Sequence, residues 1–120
     1  MTPLGVNADP YAAAQLEELH RDALEGVEGR EVIMLRVTLP PNVDLPRHWH
    51  PGEEFGYVLE GEVTLSLEGQ PDAVQRAGDS VKIPAGAIHT AITGDEGATL
   101  LVFRTHPVGE PEQVLVEPDQ

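Results

Sequence analysis

Residues 47–61 read RHWHPGEEFGYVLEG, two histidines one residue apart, a Pro-Gly pair, two glutamates and a short alternating run. On a strand, residues two apart share a face, so His48 and His50 project together from backbones roughly 6.7 Å apart. Two imidazoles at that spacing can reach one ion at about 2.0–2.2 Å. Pro51-Gly52 suits the two central positions of a type II turn, where Gly takes the positive φ. Such a turn swings Glu53 or Glu54 toward the same point. Parity selects Glu54 if the following strand turns Glu54, Gly56 and Val58 inward and Phe55, Tyr57 and Leu59 outward.

Outward from this stretch, Gly (12) and Pro (11) recur between short alternating runs, the pattern of an all-β sandwich or barrel. Candidate strands are REVIMLRVTL (30–39), FGYVLEG (55–61), EVTLSLEG (62–69), DSVKIP (79–84), HTAIT (89–93) and ATLLVFRT (98–105). In AGDSVKIPAGAIHTAIT (77–93), Pro84-Ala85-Gly86 fits a type I turn with Pro second and Gly last. His89 then opens a strand directly after that turn, a candidate fourth ligand in a chain with 5 histidines.

Composition removes several classes of function. The chain has 120 residues, the size of one domain, and no cysteine, so it has neither disulfides nor thiolate chemistry. Asp and Glu number 21 against 7 Lys and Arg, and a net charge of -14 repels nucleic acid and anionic membrane alike. Apolar runs such as VIML and LLVF are too short to span a bilayer. MTPLGVNADPY lacks the charged and apolar regions of a signal peptide, and the expected location is cytoplasmic.

The two motifs together resemble those of the cupin superfamily. The first cupin motif is matched by His48, His50, Glu54 and Gly61, with Asn42 where a leading glycine is expected. The second is matched by Gly78, Pro84, Gly86 and His89, with Thr93 in place of an asparagine. The resemblance implies a cupin-type double-stranded β-helix (jelly-roll) barrel over residues 31–106. An N-terminal arm or short helix (1–30) would precede it and an acidic tail (107–120) would follow. It also implies one divalent transition metal (Fe, Mn, Ni, Co or Zn) held by His48, His50, Glu54 and His89, with Glu54 additionally a candidate base. Small single-domain cupins commonly pair as homodimers, and a homodimer is expected.

Further expectations concern the remaining residues. DPYAAAQLEELHRDAL (9–24) carries helix-start chemistry at Asp9-Pro10, with residues 16–24 open between helix and strand. QVLVE (113–117) can add an edge strand. His20 and His106 fall outside both motifs and are expected at the surface or an interface, as are Trp49 and Arg36; Tyr57, of outward parity, is expected as a core or dimer contact. Glu53 is expected to be solvated or to support an imidazole. Parity puts Gly56, Val58, Val63, Leu65, Leu67, Val81, Ile83, Ala91 and Thr93, with Leu101 and Phe103, on the ligand face. That wall is mostly apolar and suits a compact, metal-chelating small molecule. The leading expectation is a dioxygenase-type enzyme acting on an enolisable or phenolic substrate, by family-level analogy with quercetinase-like cupins. The alternatives are a metal-dependent sugar isomerase or lyase, and a non-catalytic binding or sensing protein.

Overall fold

The computed structural model describes residues 14–116, which form eight strands and no helix. The strands are β1 (Gln15–Ala23), β2 (Arg30–Leu39), β3 (His48–Trp49), β4 (Glu54–Leu67), β5 (Ala73–Arg76), β6 (Ser80–Ile83), β7 (His89–Pro107) and β8 (Val114–Leu115). All pairing is antiparallel. The order β1-β2-β7-β3-β8 makes one side, while β4 joins β7, β5 and β6. The long strands β4 and β7 bend through bulges beside Leu59 and Glu62, so one sheet curls into the double-stranded β-helix of a jelly-roll barrel.

Alternation sets the interior. On β2, Ile33 and Leu35 point in while Met34 and Arg36 point out. With Val58, Val63, Leu100 and Val102 they form the apolar core. The expected inward set Glu54, Gly56 and Val58 holds on β4. On β7 the opposite parity applies: Leu100, Val102 and Arg104 are buried, whereas Leu101 and Phe103 line an outer groove with Phe55 and Tyr57. The register explains the correction. Directly paired residues share a face, and Glu54 pairs Arg104, Gly56 pairs Val102 and Val58 pairs Leu100.

Residues 16–23, open to either reading from sequence, are strand. β1 pairs with β2 along its length, and an edge that needs a partner outweighs the modest helical preference of QLEEL. The Asp9-Pro10 helix start lies outside the described residues. QVLVE does supply an edge strand, with Val114 opposite Trp49 and Leu115 opposite His48.

Both expected turns form by other means. The 84–87 turn is closed by Ala87 N–H donating to Pro84 O at 3.1 Å, with Gly86 at φ 79°, so Pro84 is the first residue and Gly86 the third. Gly52 has no positive φ; it is required because a Cβ there would lie 1.5 Å from the Thr105 carbonyl oxygen. Asn42, which stands where the cupin motif has glycine, has φ 60°, a left-handed conformation that Asn tolerates better than most residues. Among the described residues no helix is long and apolar enough to cross a membrane.

Candidate metal centre

β3, β4 and β7 bring His48, His50, Glu54 and His89 together inside the barrel, each at most 9% exposed. His48 and His89 are direct cross-strand partners, so sheet hydrogen bonding fixes their spacing. His50 follows β3, and Glu54 opens β4 beyond the Pro51-Gly52 bend. Ring nitrogens of the three histidines lie within 4.8 Å of one another. Ring centroids are 4.3 Å apart for His48–His89, 5.0 Å for His48–His50 and 5.1 Å for His50–His89.

The tautomers follow from the hydrogen bonds. His48 Nδ1–H donates to Pro46 O, His50 Nδ1–H to Glu112 O and His89 Nδ1–H to Ala87 O, all at 2.8 Å. A neutral imidazole donating from Nδ1 has a bare lone pair on Nε2. Three such atoms converging could hold a metal ion, and carbonyl-oriented histidine is the usual arrangement around one. His50 Nε2 is buried and has no hydrogen-bond partner, yet Glu54 Oε1 is 2.7 Å away. That contact is a hydrogen bond only if the ring is protonated at both nitrogens. With Nδ1 as the sole donor, two lone pairs face each other. A cation shared between them satisfies both, and the donor set of three imidazoles and one carboxylate fits a divalent transition metal.

Electrostatics favour neutral rings at His48 and His89 and an ionised carboxylate at Glu54. Burial pushes His48 down to about 4, partly opposed by its bond to Pro46 O; burial likewise lowers His89. Burial alone raises the Glu54 carboxyl; a His50 ring protonated on Nε2 as well as Nδ1 would oppose this, as does the Arg104 charge, and together they bring it to about 2 in the metal-free site. The pH consequence has a definite sign. A histidine with a depressed folded pKa contributes stability above 6.5 that is lost as pH falls toward 4, because the unfolded chain binds the proton first. Glu54 adds stability above 4.5 that is lost as pH falls toward 2. The metal-free protein is therefore expected to melt at progressively lower temperature from pH 7 to pH 4, with His48→Gln flattening the upper part of that profile. A melting temperature that is constant or rises over this range contradicts the assignment.

Around these residues is a cavity of about 90 Å³, walled by Leu39, Val63, Leu65, Ile83, Ala91, Leu100 and Val102. Two polar residues that motif reasoning missed also line it, Arg104 and Gln113. Arg104, on β7 opposite Glu54, places Nε 3.4 Å from Glu54 Oε1 and Nη1 3.6 Å from a Glu112 carboxylate oxygen. Only β4–β7 register would have put Arg104 inside. Thr93, expected on the cavity wall, is turned to the 40–43 loop, where it donates to Pro40 O at 2.7 Å and accepts from Val43 N–H at 3.0 Å. His106 is also corrected: it is 3% exposed, and its Nε2–H donates to Glu110 O. His20 is exposed and Glu53 pairs with Lys82 at 3.0 Å, both away from the centre.

The sequence pattern of the family described as Cupin domain matches residues 35–104. Dimethylsulfoniopropionate lyase DddQ of Ruegeria pomeroyi is 36% identical over 67 residues, covering 56% of this chain and 33% of the lyase. Dimethylsulfoniopropionate lyase DddW of the same organism is 31% identical over 97 residues, covering 79% of this chain and 61% of that protein. The chain thus spans about a third of DddQ and about three fifths of DddW in these matches. The crystal structure of R. pomeroyi DddQ superposes with a TM-score of 0.76 at 26% identity, over 98% of this chain and 57% of that one. Oxalate oxidase in complex with the substrate analogue glycolate gives 0.67 at 26% identity, over 95% and 60%.

Proposed function

Since the chain belongs to the cupin domain family, we propose that His48, His50, Glu54 and His89 hold one divalent metal (Fe, Mn, Ni, Co or Zn), and that the protein is a lyase for a compact carboxylate. The observation that carries the reading is the convergence of three imidazoles, each donating from Nδ1, beside a buried ionised carboxylate. A bound divalent ion supplies Lewis-acid polarisation of a substrate oxygen.

The chain's own residues do the rest. Arg104 is the cationic side chain of the cavity wall and faces the anionic end of a substrate, in a protein whose net charge otherwise repels anions. Glu54 is ionised, so it accepts a proton and does not donate one; Oε1 faces His50 and Arg104, and Oε2 is assigned the substrate proton. The apolar wall excludes water and strengthens both interactions. Two relatives named as lyases of a propionate support the elimination chemistry. A cavity of about 90 Å³ supports a substrate of few atoms, since drug-sized ligands occupy roughly 300 Å³ or more. A flavonol exceeds it.

The test is headspace gas chromatography of the metal-loaded protein with dimethylsulfoniopropionate and with other short β-substituted carboxylates. Release of the volatile leaving group is expected. No turnover of any of them with any of the five metals, despite measured binding, leaves a binding protein and overturns the lyase. The dioxygenase-type reading draws its support from the likeness to an oxidase, and an oxygen electrode separates it from elimination.

The same proposal pairs two copies through the outer face of the sheet, supported by the exposure there of Met34, Phe55 and Tyr57. Sedimentation equilibrium giving the mass of one chain removes that part.

A further inference from the structure

We propose that Arg21, on the exposed strand β1, is a positioning residue for the metal centre, acting through the C-terminal segment 110–116. The inference starts from an asymmetry among the three histidines. For His48 and His89 the carbonyl that orients the ring belongs to the residue two positions earlier, Pro46 and Ala87, so their orientation is a local property of their own turns. The acceptor for His50 is the Glu112 carbonyl, from a segment 62 positions away in the chain. The tautomer that presents Nε2 of His50 therefore depends on that segment being docked.

Little backbone pairing holds the segment. β8 has two residues, and one further hydrogen bond joins Val116 N–H to Arg47 O at 3.0 Å. His106 Nε2–H donating to Glu110 O anchors its start, and the Glu112 side chain adds the contacts to charged groups. Its carboxylate lies 2.7 Å from Arg21 Nη2, with Arg104 at 3.6 Å. Arg21 also meets Glu18 at 2.9 Å and Glu31 at 3.0 Å, so one guanidinium gathers carboxylates from β1, β2 and the C-terminal segment. Single pairs at such exposure contribute little in water. Here removal of the cation also takes the shared counter-charge from Glu18, Glu31 and Glu112, leaving Glu112 only the longer contact to Arg104, and the chain's acidic excess adds to their repulsion. Of the three, Glu112 belongs to no strand and precedes the two-residue β8, whereas Glu18 and Glu31 sit in the long β1–β2 ladder. Gln113, the next residue, lines the cavity, so lifting the segment opens the wall as well as releasing His50.

The test uses the full chain and two readouts. Nitrogen-15 NMR of the histidine rings in metal-free protein is expected to show Nδ1–H tautomers at His48, His50 and His89. In Arg21→Ala, His50 alone shifts toward a mixture while His48 and His89 are unchanged. Co(II) titration, followed by its visible absorption, is expected to weaken by about 10-fold, the low end of what loss of a ligand's orienting partner costs. Arg21→Lys restores part of both, and the charge-swapped pair Arg21→Glu with Glu112→Arg restores more than either single change. Glu112→Gln gives the same selectivity if Arg21→Ala does not fold. Unchanged His50 tautomer and Co(II) affinity in both Arg21→Ala and Glu112→Gln overturns the proposal, as does equal disturbance of all three rings, which signals only lost fold stability. The Co(II) readout rests on the metal reading above. Failure of the unaltered protein to bind Co(II) defeats that reading, while the metal-free tautomer measurement still decides this one.

Discussion

His50→Ala and His89→Ala are each expected to purify as folded barrels with metal affinity reduced by at least about 100-fold, and with well under one equivalent of metal per chain by elemental analysis. Removing the partner that merely orients a ligand costs about 10–100-fold, so losing the ligand itself costs no less. The barrel survives because neither ring belongs to the apolar cluster of Ile33, Leu35, Val58, Val63 and Leu100. Each alanine also removes a buried polar group whose Nδ1–H bond leaves behind only a carbonyl that water can reach through the enlarged cavity. Circular dichroism checks the fold on the same samples. Full occupancy in both variants eliminates the four-residue centre, whatever reaction the protein performs.

Gly52→Ala is expected to give the opposite outcome, loss of the fold before any question of metal arises. The added Cβ would sit 1.5 Å from Thr105 O and 2.7 Å from Thr105 C, inside backbone that cannot withdraw cheaply. Thr105 N–H donates to Glu53 O at 3.1 Å, and Thr105 is paired with Val32 on β2. Displacing it disturbs β2, β7 and the residue leading into β4 together, and a cost above about 3 kcal/mol is expected, a large share of a small domain's stability. Gly86→Ala is the control. Gly86 has φ 79° but open space around it, so only the left-handed conformation is penalised, at about 1–2 kcal/mol. Urea titration of soluble variants measures both. Equal effects at the two glycines would show that close approach is not what Gly52 provides.

How much of this could be read from the sequence depended on the range of the signal. The His48/His50 spacing and the inward parity of Glu54 are period-two patterns within a few residues, and the structure brings these side chains together with His89 as that spacing suggests. Arg104 stayed hidden because its side is decided by which residue of β4 it opposes. The bulges beside Leu59 and Glu62 reset that register without any mark in the local alternation. His106, expected at the surface or an interface, is buried, and this stayed hidden for a related reason: its partner is the Glu110 carbonyl, and a backbone acceptor has no letter of its own. The same holds for Glu112 O, which orients His50. Gly52 was legible as a glycine but not as a contact, since Thr105 lies far along the chain. Strand β1 was ambiguous because its composition suits a helix, and only the open edge of β2 decides against one.

The direct pairing of His48 with His89 has a consequence for the order in which the molecule is made. These two positions become neighbours only after β4, β5 and β6 have been synthesised and folded back between them. Joining them closes a long loop, and ordering that much chain is the slow step in proteins built from distant contacts. A nascent polypeptide that has not yet reached residue 89 has His48, His50 and Glu54 of the proposed set but lacks its third imidazole. On the proposed metal reading, tight capture therefore comes at the end of assembly and reports a finished barrel; it does not nucleate one.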